Sequence, residues 1–487
     1  MEKKLLQEQK INQEVQNGIL PVTEKDRVWR FWDAAWVNIG FAIATWCFMT
    51  GATTAMLVDF KTAIFVILAG NIIGVGILCI GTVICTTKYG IDQYTATIPF
   101  TGKNGMKFVV ASFLIAQIGW VSVLSCMFGK SVQTLYDTFT GSESGNGVFV
   151  ICALIAVFVS WLIVAKGPIV MKTFNKIVVP ALSFVMIVIA FALFRHYDPQ
   201  TLMAMEPLAP IGDDHVNLML ALEMNIAGAL SWWPNMGGIS RLTNSTRTAY
   251  WVNIIGIGLS CALAVILGAA AAFAVGGTDP ASWMIPLGGM VLGVISLIFV
   301  ALANLTSNSV VMYAVCLGLR QFKFFAKKSW TTVTLIFAAP CFVLVLFPDV
   351  VYGSYMLLLT ACSLFFTPLM AMGFVDYFIF RKQKYDLRAI YNTSADSPYY
   401  YWGGINWVAV TVFISSIAIY IIVLNPFTWS YSPVFLYTTA TGATALFAGV
   451  IYYILGKIFL VPRNIGDFEY HKQYREYVLS MNRNAGI

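Results

Sequence analysis

Val37-Asn38-Ile39-Gly40-Phe41-Ala42 occupies the middle of an apolar stretch, Trp32 to Leu57. The stretch is long enough to cross a bilayer. An amide and a glycine at that depth are poor choices for a plain anchor, because in hydrocarbon every backbone N–H and C=O must find a partner inside the protein. A helix is loosened there only where neighbouring protein or a water-filled cavity takes over the freed groups. The residues therefore predict a broken helix that lines a site, with an aromatic, Phe41, beside the weak point and freed carbonyls available to a cation.

The composition agrees with a membrane setting. Of the 487 residues 59% are hydrophobic and 11% charged, which places the chain among polytopic membrane proteins. Residues 1–31 are polar and mixed in charge, without the apolar core of a cleavable leader, and read as a cytoplasmic tail. A net charge of +7 follows from basic residues gathered on the cytoplasmic side of spans, so it is no argument for nucleic acid. All nine cysteines fall inside apolar runs with no CxxC pair, which argues for buried thiols and against a disulfide framework or a zinc site.

Taking about twenty apolar residues per crossing, spans fall near 34–57, 62–86, 107–128, 147–165, 170–194, 217–240, 250–275, 286–317, 329–347, 352–375, 404–424 and 433–460, about twelve in all. Lys and Arg collect in alternate connectors: Lys88, Lys103 and Lys107, then Lys166, Lys172 and Lys176, then Arg241 and Arg247, Arg320 to Lys328, and Arg381 to Arg388. The connectors between them are poor in base, which predicts a multi-pass protein of the plasma (cell inner) membrane with both termini cytoplasmic.

Three spans do not look like anchors. In the third, Gln117 and Trp120 share one helix face, an amide with donor and acceptor beside a flat indole, a pairing suited to a planar heterocycle or to packing between helices. In the sixth, Asn225-Ile-Ala-Gly228-Ala-Leu-Ser231-Trp232-Trp233-Pro234-Asn235 combines glycine and proline and predicts a second broken helix. It comes five spans after the first, the spacing of an inverted repeat whose broken helices meet at the midplane. Glu223 in the same span is either a proton site or a partner for a helix end. In the eighth, Ala303-Asn304-Leu305-Thr306-Ser307-Asn308-Ser309 gathers hydroxyls and amides that form an oxygen shell for a small hard cation, or bond other helices. No catalytic cluster appears: His196, His215 and His471 lie in connectors or the tail, and there is no phosphate-cradling glycine loop. That argues against an enzyme and against an ATP-driven pump.

Together these segments resemble the nucleobase:cation symporter-1 family, which includes cytosine and hydantoin permeases. Gln117-Ile-Gly-Trp120 is similar to that family's third-helix Gln-x-Gly-Trp segment, Phe41 to its first-helix aromatic, and Ala303-x-x-Thr306-Ser307-Asn308 to its eighth-helix sodium signature. Asp376-Tyr377, Arg381-Lys382, Tyr385 and Ile405-Asn406-Trp407 resemble its tenth-to-eleventh connection. The sixth span departs from the pattern: the usual aromatic position falls at Ala229, with Trp232 about a turn later, and the family's acid before Arg241 is Gly238. Leu124 stands where hydantoin permeases carry a second glutamine.

The resemblance implies an all-α fold of about twelve transmembrane helices, a five-plus-five inverted repeat with two extra C-terminal helices. Its divisions would be a core of 32–400 with repeats at about 32–194 and 217–380, added helices at 401–460 and a tail at 461–487. It implies a symporter, functional as a monomer, that imports a nucleobase or related heterocycle with a cation, sodium before proton, and no other cofactor. Phe41 and Trp120 would sandwich the ring, while Gln117, Asn308, Ser231 and Trp232 complete the pocket. Val37, Gly40, Ala303, Thr306 and Ser307 would hold the ion. A cation-coupled amino acid or amine transporter of the same fold is the alternative, followed by a non-transporting membrane receptor.

Overall fold

In the computed structural model, residues 20–167, 184–195, 197–392, 394–463, 465–466 and 468 are described, apart from the Phe41 side chain. The described residues are helical, with isolated bridges but no strands. Hydrocarbon leaves the backbone of an apolar run no partner but itself, and the helix satisfies it locally.

The first span is two helices, α1 (Phe31–Ala42) and α2 (Thr45–Leu57), bent by 64°. Ile43 and Ala44 between them are extended. The break thus falls just after the Val37–Ala42 run rather than within it, and Gly40 stays helical. Its freed groups find local partners: Ile43 N donates to Ile39 O at 3.1 Å and Cys47 Sγ to Ala42 O at 2.8 Å. α3 (Phe60–Tyr89), α4 (Met106–Thr140) and α5 (Asn146–Ala165) follow, and α6 (Phe184–Arg195) is the described part of the fifth span; the beginning of the expected 170–194 span lies outside the described residues.

The sixth span is also broken: α7 (Asp214–Leu230) and α8 (Trp233–Ser240) are separated by a turn at Ser231 and Trp232. Pro234 sits in the first turn of α8, where its missing N–H costs nothing. Next come α9 (Thr246–Val275), α10 (Pro280–Arg320), α11 (Trp330–Leu344), α12 (Tyr355–Phe380), α13 (Trp407–Val423) and α14 (Phe435–Arg463). α10 turns sharply at Gly289, whose φ of +67° a side chain would resist. Each of the twelve expected crossings has a helix.

Packing follows a two-fold exchange between the first five spans and the next five. α1 packs on α9 as α7 packs on α3, α10 on α5 as α11 on α4, and α4 on α10. The approach of α2 to α9 depends on glycine: a Cβ at Gly51 would stand 2.1 Å from Val265 O, and one at Gly268 2.5 Å from Phe48 Cα. The companion helices α3 and α9 each carry one π-helical turn, Cys79–Val83 and Ile254–Leu259. Large apolar side chains such as Phe65, Ile151, Ile187, Phe191, Ile414 and Leu446 point outward, as lipid-facing positions require. All nine cysteines are buried and free.

The tenth-to-eleventh connection is anchored by a buried ion pair. Arg381 Nε donates to Asp376 Oδ2 at 2.8 Å, and the rest of the guanidinium donates to the carbonyls of Pro99 and Gly466 and to Tyr401 OH. Asn406 Nδ2 donates to Phe100 O at 2.7 Å. Two connectors distant in sequence are thereby held as one layer under the helices.

Candidate functional site

The two breaks, α4 and α10 enclose a cavity of about 40 Å³. Its walls are Trp46, Gln117, Trp120, Leu124, Ser231, Trp232, Asn235, Ser307, Val310 and Val311. The aromatic part is built on Trp46, which begins the first turn of α2. Its ring meets Trp120 edge to face at 5.7 Å and Trp232 at 5.8 Å. Its backbone is held too, because Trp46 O, Thr50 Oγ1 and Tyr355 OH of α12 lie 2.7–2.9 Å from one another. Trp120 is fixed by donation from Nε1 to Cys362 Sγ at 3.3 Å and by the edge of Tyr355.

The polar part of the wall is left largely unpaired. Gln117 is fully buried, yet neither its Nε2 nor its Oε1 has a hydrogen-bond partner. Trp232 Nε1 and Asn235 Oδ1 are also unpartnered. A buried polar group left unpaired costs about 1–3 kcal/mol, so cores rarely tolerate one. Here two donor groups and two acceptors belong to residues lining one aromatic-walled space, which is a complement for a flat molecule with mixed N–H and C=O edges. Ser231 lines the same space but turns its hydroxyl back to Gly228 O at 2.6 Å. A cavity of this size holds a water rather than a heterocycle, so a planar ring enters only if an indole moves.

The expected residues are thus distributed unevenly. Gln117, Trp120, Ser231 and Trp232 line the cavity together. Asn308 is not among its walls, because it turns towards α4 and donates from Nδ2 to Ser125 Oγ at 2.9 Å. The Phe41 side chain lies outside the described residues. Trp46 and Asn235 were not singled out from the sequence as site residues; the signal available was position, since each follows a break by a few residues. Ala229 packs against α3, where a Cβ on Gly74 would meet its own Cβ at 2.6 Å. The sixth-span aromatic at the cavity is therefore Trp232.

Of the residues expected around the ion, Ala303 is buried against Ile43 at the first break. Thr306 Oγ1 donates to Ala303 O at 2.7 Å, which leaves the hydroxyl lone pairs available to a cation. Ser307, one residue on, faces the cavity. Gly40 is in the last turn of α1, where helix carbonyls lose their intrahelical partners, whereas Val37 lies further back in the helix. These donors are neutral oxygens, the ligand type that hard cations take. No cluster of three or more His, Cys, Asp or Glu occurs among the described residues.

Glu223 is away from this site. Its carboxylate accepts from Tyr420 OH at 2.7 Å, Thr441 Oγ1 at 2.6 Å and Thr441 N at 3.0 Å. Thr441 follows a break in α14 at Thr439, so the acid partners a helix start.

The sequence matches the family described as permeases for cytosine/purines, uracil, thiamine and allantoin over residues 21–450. No curated protein sequence matches significantly. Among solved structures, the inward-facing conformation of Mhp1 is similar with a TM-score of 0.75 and 19% identity, covering 91% of this chain and 94% of that one. Mhp1, a nucleobase-cation-symport-1 family transporter, in a closed conformation with bromovinylhydantoin bound, gives 0.71 and 18%, covering 90% and 95%. The substrate-bound outward-open state of a Na+-coupled sialic acid symporter gives 0.58 and 15%, covering 90% and 91%. At these identities the likeness carries the fold.

Proposed function

Since the chain belongs to the family of permeases for cytosine/purines, uracil, thiamine and allantoin, we propose that it is a symporter that couples sodium to uptake of a planar nitrogen heterocycle by alternating access. The observation that supports this most is the set of unpaired groups at the cavity, Gln117 Nε2 and Oε1, Trp232 Nε1 and Asn235 Oδ1, beside three indoles. In this reading Trp46 or Trp232 swings aside, the ring stacks against Trp120, and Gln117 and Asn235 bond its edge. Phe41 and Asn308 would join as the bundle closes.

Thr306, Ser307, the Ala303 carbonyl and carbonyls at the end of α1, Gly40 before Val37, would hold sodium. An ion at that place joins the first break to α10, so ion and heterocycle each raise the affinity for the other by the same factor. The working unit would be a monomer in the plasma membrane, both termini cytoplasmic, with repeats at about 32–194 and 217–380.

The test is thermal stabilisation of the purified chain by cytosine, uracil, hypoxanthine, allantoin, benzylhydantoin and amino acids, each in sodium or in choline. A shift with one heterocycle that requires sodium is expected. A shift with amino acids alone would overturn the substrate class, and equal shifts in both salts would remove sodium from the scheme.

A further inference from the structure

Two buried clasps flank the cavity and correspond under exchange of the two five-helix halves. In one, Asn38 Nδ2 of α1 donates to Asn253 Oδ1 of α9 at 3.0 Å, and Asn253 Nδ2 donates to Ser240 Oγ of α8 at 2.9 Å. In the other, Asn71 Nδ2 of α3 donates to Asn225 Oδ1 of α7 at 3.3 Å, and Asn225 Nδ2 donates to Thr54 Oγ1 of α2 at 3.0 Å. Exchanging α1 with α7, α9 with α3 and α8 with α2 carries each residue of one set to its counterpart in the other, while the hydroxyl is bonded by the companion-helix asparagine in the first and by the leading asparagine in the second. Each clasp has an amide on the half-helix that leads into a break, an amide on its companion helix, and a hydroxyl on the half-helix that leaves the other break.

The surroundings correspond as well. All six side chains are at most 2% exposed. Each leading asparagine lies against a companion glycine: a Cβ at Gly256 would stand 2.8 Å from Asn38 Cβ, and one at Gly70 2.5 Å from Asn225 Cβ. Both contacts leave no room for a side chain, so the amides are pressed into register. Asn71, Asn225 and Asn253 also donate from Nδ2 to the carbonyl four residues back in their own helix, so opening a clasp leaves Asn38 Nδ2 and the Oδ1 atoms of Asn225 and Asn253 unpaired in an apolar interior. None of the six lines the cavity.

We propose that Asn38 and Asn225 are positioning residues that tie the two breaks to one another. Through Asn253 and Ser240 the approach to the first break is bonded to the departure from the second. Through Thr54 the approach to the second is bonded to the departure from the first. Ordering one break therefore orders the other, on both sides of the cavity, whichever substrate or ion occupies it. The inference does not rest on the heterocycle or sodium reading, and failure of either leaves it intact.

Hydrogen exchange of the full chain in nanodiscs, read by mass spectrometry, tests it. Asn38→Ala should speed exchange at residues 231–236, and Asn225→Ala at residues 43–47, about three- to tenfold each, although the substitution is on the other broken helix. Thr54→Ala and Ser240→Ala, which keep the amide pairs, should reproduce these cross-effects in folded protein, and Thr54→Ser should restore the native rate. Exchange in α5 should not change. Acceleration confined to the substituted helix, or spread equally through α5, would overturn the proposal.

Discussion

Trp46 meets Trp120 and Trp232 edge to face, at 5.7 and 5.8 Å, so a single indole from the first broken helix joins the third span to the second broken helix. On the proposed function, its ring occupies the space that a planar substrate would take between both walls. Trp46→Phe should keep heterocycle affinity within a few-fold, whereas Trp46→Ala should lower it by about tenfold through lost aromatic contact. Titration of the thermal shift separates the two; equal affinity in both variants would place Trp46 outside recognition.

Gln117 and Asn235 predict changes of opposite sign. Replacing either by Leu removes a buried unpaired polar group and should stabilise the ligand-free protein by about 1–3 kcal/mol. The same substitution should weaken heterocycle binding about ten- to a hundredfold, because the edge of the ring is left unpaired. Thermal midpoints without ligand and with saturating cytosine or benzylhydantoin measure both.

Thr306→Ala removes a hydroxyl next to the first break without touching the aromatic wall. Sodium and substrate affinities should fall together by a common factor, as linkage demands. A variant whose substrate affinity in choline and in sodium matches the native protein would dissolve the coupling scheme.

Arg381 and Asp376 form a buried pair whose loss from one side leaves an uncompensated charge. Arg381→Met should cost about 3–5 kcal/mol of stability, and Arg381→Met with Asp376→Leu distinctly less than the sum of the single changes. Midpoints of heat inactivation for the three variants give the coupling directly.

Lys103 lies in the second-to-third connector, its ammonium donating to the Ile390 carbonyl, and burial pushes its pKa down to about 8. Between that value and the ordinary lysine range the unfolded chain binds more protons than the folded one. Stability therefore rises with pH across that window. The native thermal midpoint, compared with that of Lys103→Met, should show this alkaline gain from pH 8 to 10; a flat difference would remove Lys103 as its source.

Much of the fold and part of the site were legible along the chain. Gln117 and Trp120 fall on one face by helical spacing alone, and Pro234 after a glycine-bearing run marks a break wherever the helix packs. Asn308 shows where this reading stops. It follows Ser307 by one residue, a third of a turn, so one faces the cavity and the other faces Ser125, and spacing does not say which. Val37 and Gly40 mark a weak stretch, yet the helix gives way at Ile43 and Ala44, where Cys47 and the packing of Ala303 accommodate an extended backbone. Glu223 likewise gave two readings, and only the break at Thr439 in a distant helix made it a helix-start partner.

By itself the sequence determined that this is a helical membrane protein with two interrupted spans five apart, because hydrocarbon forces backbone groups to pair locally and makes each amide, proline and acid at depth conspicuous. Tertiary structure alone decided that Trp46 and Asn235 share the cavity with Gln117, that Trp232 lines it while Ala229 packs against α3, and that Asn38 and Asn225 find partners across the breaks. Those outcomes depend on the rotation and closeness of helices hundreds of residues apart. Glycines at Gly51, Gly70, Gly256 and Gly268 set that closeness, and local periodicity does not encode it.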